Sequence, residues 1–196
     1  MGLWETIRGE RRQRPANLDA LFFVPSAAIT LETAAGIRPT GAGSVCFRAA
    51  EGAAFDQAQD EVVALINANP DAPDVSLSRD SFGFSWLVAT RDPSDMGGLC
   101  TDLHAVNTIL QDQGFGSGLL CSMVTFRDAA DRSIGLVYLY KQGTFYPFVP
   151  TGDGAGGTSQ TRDNLTEVMV RELLAPELPM EPQLSRWMAL WGAPGL

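Results

Sequence analysis

The sequence predicts an α+β fold: a mainly antiparallel sheet with helices packed against it. Three observations indicate this class. Segments with helical apolar spacing alternate with extended apolar segments. The extended segments form one hairpin and one three-stranded meander, each with short turns. Parallel strands would need a long crossover after every strand, so consecutive hairpins favour antiparallel pairing. Secretion-chaperone-like folds are one candidate architecture of this kind.

The first 14 residues predict a basic amphipathic arm ahead of the main domain. Leu3, Trp4 and Ile7 recur at helical spacing, and Pro15 breaks the pattern. The basic side chains among them are Arg8, Arg11, Arg12 and Arg14. Such an arm suits an anionic lipid surface or a partner groove, with a frayed terminus as the alternative.

Residues 15–196 are predicted to form a single α+β domain. Its expected helices are 17–36, with a break near Pro25, a segment around 55–66, 95–113 and 164–174. Its expected strands are 44–49, 75–80, 84–92, 119–126, 133–141 and 144–150. Pro147 cannot donate a backbone hydrogen bond, so the last strand is expected at a sheet edge. The Gly-rich segment 151–160 is expected to be a mobile loop.

Composition limits the possible functions. The chain has 196 residues and a formal net charge of −9, which argues against nonspecific nucleic-acid binding. The three cysteines lack the spacing of a metal site or a disulfide scaffold and are expected in a reduced core. With no run of apolar residues long enough for a membrane span and no targeting segment recognised, a cytoplasmic location is expected.

Residues that could support catalysis are few. His104 is the only histidine, and its place on the predicted helix 95–113 lies near the solvent boundary. The acidic pairs lie at turns and helix starts, where Asp commonly caps backbone donors. The glycine-rich segments match neither the Walker nor the dinucleotide spacing. We therefore predict no catalytic, cofactor-binding or metal-binding residues, and no enzyme activity.

Aromatic side chains cluster in the last strand of the meander and in the C-terminal segment. The clustered residues are Tyr146, Phe148, Trp187 and Trp191. Aromatic residues of this kind are usually core residues, yet Tyr and Trp also dominate binding hot spots. We predict that these four residues contact a protein partner.

Four fragments of the chain resemble a known family. They are IRPTGAGSVCFRA (37–49), DLHAVNTILQDQGFG (102–116), LVYLYKQGTFYPFVP (136–150) and LSRWMALWGAPGL (184–196). In order and spacing they are similar to the PspA-associated protein PspAB family of actinobacteria, from about Asn17 onward. The resemblance implies a role in the phage-shock response to envelope stress. It names PspA, a coiled-coil membrane-remodelling protein, or an HtpX-type membrane metalloprotease as partner, and transfers no catalytic residue.

The sequence therefore predicts a non-catalytic adaptor of the PspA response that acts through protein–protein contact at the meander edge and the C-terminal aromatics. Two alternatives stay open. One is a small enzyme or ligand-binding protein that uses Cys121 or Cys100 with His104. The other is a module that binds the periphery of the inner membrane through the N-terminal arm.

Overall fold

The computed structural model describes residues 17–48, 53–68, 74–151 and 160–196. A 3-10 turn at Leu18–Phe23 leads into the first helix. The helices are α1 Val24–Ala35, α2 Ala53–Ala68, α3 Met96–Leu110 and α4 Asn164–Leu174. The strands are β1 Arg38–Arg48, β2 Val75–Arg79, β3 Phe84–Thr90, β4 Leu119–Arg127, β5 Ser133–Leu139, β6 Thr144–Phe148, β7 Pro150–Thr151 and β8 Thr161–Arg162.

Six of these strands form one antiparallel sheet in the order β2-β3-β1-β4-β5-β6. The predicted hairpin is β2–β3 and the predicted meander is β4–β5–β6, so the α+β class and the antiparallel sheet are confirmed. Strand β1 lies between the two groups and pairs with both. The short strands β7 and β8 form a separate ladder.

The helices pack on one face of the sheet, which we call the helix face. Val45 and Phe47 of β1 point to it, and α3 supplies the stripe of apolar side chains that the sequence predicts. All members of that stripe are buried, namely Met96, Leu99, Leu103, Val106 and Leu110. Gly43 lets α3 approach closely, since a Cβ atom there would lie 3.0 Å from Leu103 Cδ1.

Helix boundaries follow local capping chemistry. The Asp95 side chain accepts a hydrogen bond from the Gly98 N–H at the start of α3, and Asp163 does the same for Thr166 at the start of α4. Helix α1 ends at Gly36, whose φ of 66° is left-handed. The expectation that acidic side chains at helix starts cap backbone donors is therefore confirmed at Asp95.

An ion pair between a buried carboxylate and a half-exposed arginine ties α3 to the residue that follows β3. Asp102 is 3% exposed, and its two oxygens accept hydrogen bonds from Arg91 Nε at 2.5 Å and Nη2 at 2.8 Å. This pairing provides the bidentate geometry in which arginine and carboxylate interact most strongly. Asp102 therefore has a structural partner of its own.

Strand β6 lies at one edge of the sheet, as Pro147 predicts, but the edge is not open. The Phe145 N–H donates to Pro179 O at 2.9 Å, and the Glu181 N–H donates to Phe145 O at 2.7 Å. Val149, just past the strand, is bonded through both its N–H and its C=O. The meander edge is therefore not an open edge, because the chain itself pairs with it, and contact with a partner there stays a prediction.

The 3-10 turn and α1 together, Leu18–Ala35, have the length and apolar composition of a membrane span. No membrane span is expected from the sequence. About two fifths of the segment is buried inside the protein, at 39%, and its buried residues belong to the core on the helix face. A core helix near the N-terminus passes the same test, so this observation is weak evidence for a span.

Two predicted features lie outside the described residues. These are the basic arm, 1–14, and residues 152–159 of the Gly-rich loop. Both remain predictions.

The backbone at Gly41 generates a stability prediction. Its φ is 80°, and a Cβ atom there would lie 2.1 Å from Arg91 O. We expect Gly41→Ala to lower the free energy of unfolding by more than about 2 kcal/mol, because alanine strains the left-handed region and meets backbone. Urea denaturation followed by circular dichroism measures this.

The matched control is Gly97→Ala on α3, where nothing lies within 4 Å of the added Cβ atom. Alanine is favoured in helices, so stability should be unchanged or raised by up to about 1 kcal/mol. Equal unfolding midpoints for the two variants would contradict the proposed constraint at Gly41.

Candidate functional site

The face of the sheet opposite the helices, here called the second face, is also apolar. Side chains alternate along each strand, so residues next to those of the helix face point to the second face. Its buried side chains from the sheet are Cys46, Trp86, Cys121, Met123, Val137, Tyr146 and Phe148. A sheet with two apolar faces needs a second cover.

The C-terminal segment, residues 181–196, covers part of the second face. The Trp187 ring stacks on Tyr146 with centroids 5.9 Å apart, and Trp187 Nε1 donates to Glu181 O at 3.0 Å. The Tyr146 hydroxyl donates to Met188 O at 3.0 Å. Trp191 meets Phe148 edge-on with centroids 5.0 Å apart. Aromatic contacts thus hold a segment with little regular structure against the sheet.

Arg162 braces this segment from the side of α4. Its Nη1 donates to Trp187 O at 2.7 Å, and its Nε donates to Glu167 Oε1 at 2.9 Å. The guanidinium centre lies 5.0 Å from the Phe148 ring centroid. Glu167 is buried and also accepts the Val149 N–H at 2.9 Å. One ion pair therefore connects α4, β8 and the C-terminal segment.

The uncovered part of the second face forms a pocket of about 550 Å³. This volume is within the range of about 300–1,000 Å³ for small-ligand sites. Its floor is the sheet, through Cys46, Trp86, Cys121 and Tyr146. Its walls are Phe84, Leu120, Leu139, Met188, Ala189 and Leu190. The C-terminal segment thus forms one side of a largely apolar cavity.

Two thiols lie side by side in the pocket floor. Cys46 and Cys121 are Cα partners on β1 and β4, and neither forms a disulfide. A hydrogen bond between the two side chains, together with burial, raises the pKa of the Cys46 thiol far above its ordinary value. Because the thiolate is the reactive form, Cys46 is not an activated nucleophile. The Cys46 thiol is therefore an uncharged part of the floor.

The pocket mouth carries charged side chains. The Arg48 guanidinium lies 5.4 Å from the centroid of the Phe84 ring, and Lys141 Nζ donates to Ser117 O at 3.2 Å. Asp80 also lines the mouth. Its oxygens accept hydrogen bonds from the Phe82 and Phe84 N–H groups and from Trp86 Nε1, at 2.9, 3.0 and 2.9 Å. The Asp80 carboxylate thus accepts hydrogen bonds from the protein itself. The side chains of Arg48 and Lys141 lie at the mouth.

The aromatic residues predicted to bind a partner do not lie on an exposed surface. Tyr146, Phe148 and Trp187 are buried, and Trp191 is half-buried. Tyr146 lines the pocket, while the other three fix the C-terminal segment. Their first role is packing, and contact with a partner stays a prediction.

Neither cysteine of the alternative cysteine–histidine site, Cys100 or Cys121, forms a hydrogen bond with His104. His104 packs beside Phe22, with ring centroids 5.1 Å apart, and its Nε2 lies 3.7 Å from Asp19 Oδ1. Cys121 lies on the opposite face of the sheet. Cys100 is fully buried, and burial raises its pKa to about 12. Among the described residues, no three His, Cys, Asp or Glu side chains are grouped to hold a metal ion.

A second candidate surface lies on α4. Leu165, Val168 and Met169 are 86%, 41% and 38% exposed, at positions i, i+3 and i+4 of the helix. Val170 and Leu174, on its other side, are buried in the core. We call the first three residues the α4 stripe.

A family model described as PspA associated protein B, PspAB, matches residues 1–195 of this chain. The chain belongs to this family. The match confirms the resemblance and extends it to the first residues, ahead of Asn17. The family's description links its members to PspA. No curated protein and no solved structure matches the chain, so the secretion-chaperone-like architecture stays a prediction.

Sequence reasoning missed both the pocket and the α4 stripe. The stripe could have been predicted, because the spacing of residues 164–174 places apolar side chains on two sides of one helix. The apolar alternation of Phe84 and Trp86 in β3 indicates a second buried face. No sequence spacing could have placed Arg48 and Lys141 together, because only the strand order brings their strand ends to one mouth.

The packing of Trp187 can be tested by truncation. Trp187→Ala should lower the free energy of unfolding by about 3–5 kcal/mol, since it removes a buried ring and leaves a cavity over Tyr146. Thermal and urea unfolding measure the change.

Met188→Ala is the control at the next position, where the side chain is 61% exposed. It should change stability by less than about 1 kcal/mol. If Trp187→Ala were as mild as the control, the packing role of Trp187 would be refuted.

Proposed function

We propose that this protein is a non-catalytic adaptor of the PspA envelope-stress response and binds its partner through the α4 stripe. The carrying observation is an exposed apolar helix face on a member of a family described as associated with PspA. Contiguous exposed apolar surface of this kind commonly marks a protein interface. The cytoplasm, at the inner membrane, is the proposed location.

The composition of α4 supports a partner at this helix. A surface helix ordinarily has one apolar side facing the core and a polar side facing water. On α4, Val170 and Leu174 already supply the core side. Leu165, Val168 and Met169 have no corresponding role within the described residues. A partner that covers them would remove apolar area from water at about 25 cal/mol per Å².

The spacing of the stripe favours a helical partner. Residues at i, i+3 and i+4 form a ridge that fits the groove between ridges of another helix. The coiled-coil protein that the resemblance names would offer such helices. Helix α1 lies beside α4 and exposes Ile29, and the 3-10 turn before it exposes Phe23, so the helix layer carries further exposed apolar side chains.

Overall charge sets the expected character of the contact. The chain carries a net charge of −9, so a partner with basic residues around its apolar ridge would associate faster. The Arg171 guanidinium pairs with Glu172 on α4 itself, so local charges near the stripe are partly balanced. We expect apolar contact to provide most of the affinity of the complex and charge to increase the rate of association.

The test uses the full-length protein with purified PspA, because the adaptor proposal requires a direct complex. Leu165→Glu and Val168→Glu should each weaken the complex at least about tenfold, since each buries a charge in an apolar contact. Biolayer interferometry measures the affinity, and circular dichroism confirms that both variants fold.

Leu184→Glu is the matched control, because Leu184 is 59% exposed on a different element. It should leave the affinity unchanged. No complex between wild-type protein and PspA would overturn the proposal. A complex that tolerates both glutamates would place the contact elsewhere. Crosslinking in stressed cells that captures only an HtpX-type protease would replace PspA with that partner.

A further inference from the structure

The pocket on the second face has no part in the proposed adaptor contact, because the α4 stripe belongs to a helix on the other face of the sheet. It nevertheless combines an apolar interior with charged side chains at its mouth. Aromatic and aliphatic side chains form its walls, and two cations stand at its mouth. Such a division between an apolar interior and a charged mouth is typical of ligand sites.

The interior of the pocket favours an uncharged group. Its floor offers the thiols of Cys46 and Cys121 and the rings of Trp86 and Tyr146. Burial raises the pKa of Tyr146, so its hydroxyl is neutral, and that hydroxyl already donates to Met188 O. Trp86 Nε1 is likewise committed to Asp80. The floor therefore has no free strong donor and favours a hydrocarbon over a polar group.

The mouth of the pocket selects for negative charge. Arg48 lies against the Phe84 wall, and Lys141 donates to the Ser117 carbonyl, so both cations lie beside the entrance. Within the described residues, no carboxylate forms a salt bridge with either of them. Asp80, the one acidic side chain of the lining, directs its oxygens at three N–H groups of the β2–β3 hairpin. The entrance thus has net positive character in a protein of net charge −9.

From this division we infer that the pocket binds a single-chain anionic amphiphile, with its hydrocarbon chain over the floor and its carboxylate at Arg48 and Lys141. The ligand class is a long-chain fatty acid. An apolar peptide would fill the interior equally well but would leave both cations unpaired. Charge complementarity at the mouth therefore favours the carboxylate.

Lys141 provides a direct assay, because it is the only lysine of the chain. An amine-reactive acetylating reagent can therefore label only this side chain and the N-terminal amine. Bound dodecanoate, used below its micelle-forming concentration, should protect Lys141 and leave labelling of the N-terminus unchanged. Mass spectrometry quantifies both sites in one sample, and calorimetry gives the affinity.

Two sets of variants test the hydrocarbon chain and the carboxylate of the ligand separately. Ala189→Trp should abolish binding, since Ala189 is exposed on the C-terminal side of the pocket and a large ring there would fill the entrance. Ala175→Trp, at an exposed site after α4, is the matched control. Arg48→Gln and Lys141→Gln should each weaken dodecanoate binding by about tenfold. Both should leave the weaker binding of dodecanol unchanged.

Each outcome decides the inference. Absence of dodecanoate binding at millimolar concentration would overturn it, as would full affinity in Ala189→Trp. Equal affinity for dodecanol and dodecanoate would remove the head-group contact and refute the ligand class. Lys141 protected by PspA but not by dodecanoate would assign the pocket to a protein. Because Leu165→Glu leaves the pocket intact, its effects on PspA binding and on dodecanoate binding are separable.

Discussion

The rest of the structure depends on the central position of β1, which is buried on both faces. Val45 and Phe47 point to the helices, while Cys46 points to the second face. A central strand of this kind obliges the fold to cover two apolar surfaces. The helices cover one of them. The other falls to residues 181–196, which contain only a short 3-10 turn, so aromatic stacking and the Arg162 ion pair must hold the segment in place.

Elements determined by short-range pattern were predictable from the sequence. The hairpin, the meander, the apolar stripe of α3 and the edge position of β6 all follow from periods, turns and one proline. The place of β1 between hairpin and meander was not predictable, because it depends on pairing between distant segments. The aromatic residues of the C-terminal segment show the same limit. Trp187 suits a core and a binding surface equally well, and only the unfilled second face decides for the core.

The pocket exists because the C-terminal segment covers only part of the second face of the sheet. The C-terminal segment packs on Tyr146 and Phe148 of β6 but leaves a cavity above the buried side chains of Cys46 and Trp86. Because the strands are antiparallel, the end of β1 and the end of β5 lie at the same edge of this gap. Arg48, the last residue of β1, and Lys141, two residues past the end of β5, therefore lie at the same opening. The register of the sheet, rather than any motif, brings these two cations together.

The α4 stripe and the pocket are on opposite faces of the sheet. One set of contacts nevertheless joins helix α4 to the C-terminal segment that forms the pocket wall. Arg162 donates both to Glu167 of α4 and to Trp187 O in the C-terminal segment. Glu167 is two residues from Leu165 of the α4 stripe, and Trp187 adjoins Met188 of the pocket wall. Breaking a buried pair by removing one partner costs about 3–5 kcal/mol, so the segment and the helix are held in fixed relation. The α4 stripe and the pocket wall therefore rest on one shared set of contacts around Arg162.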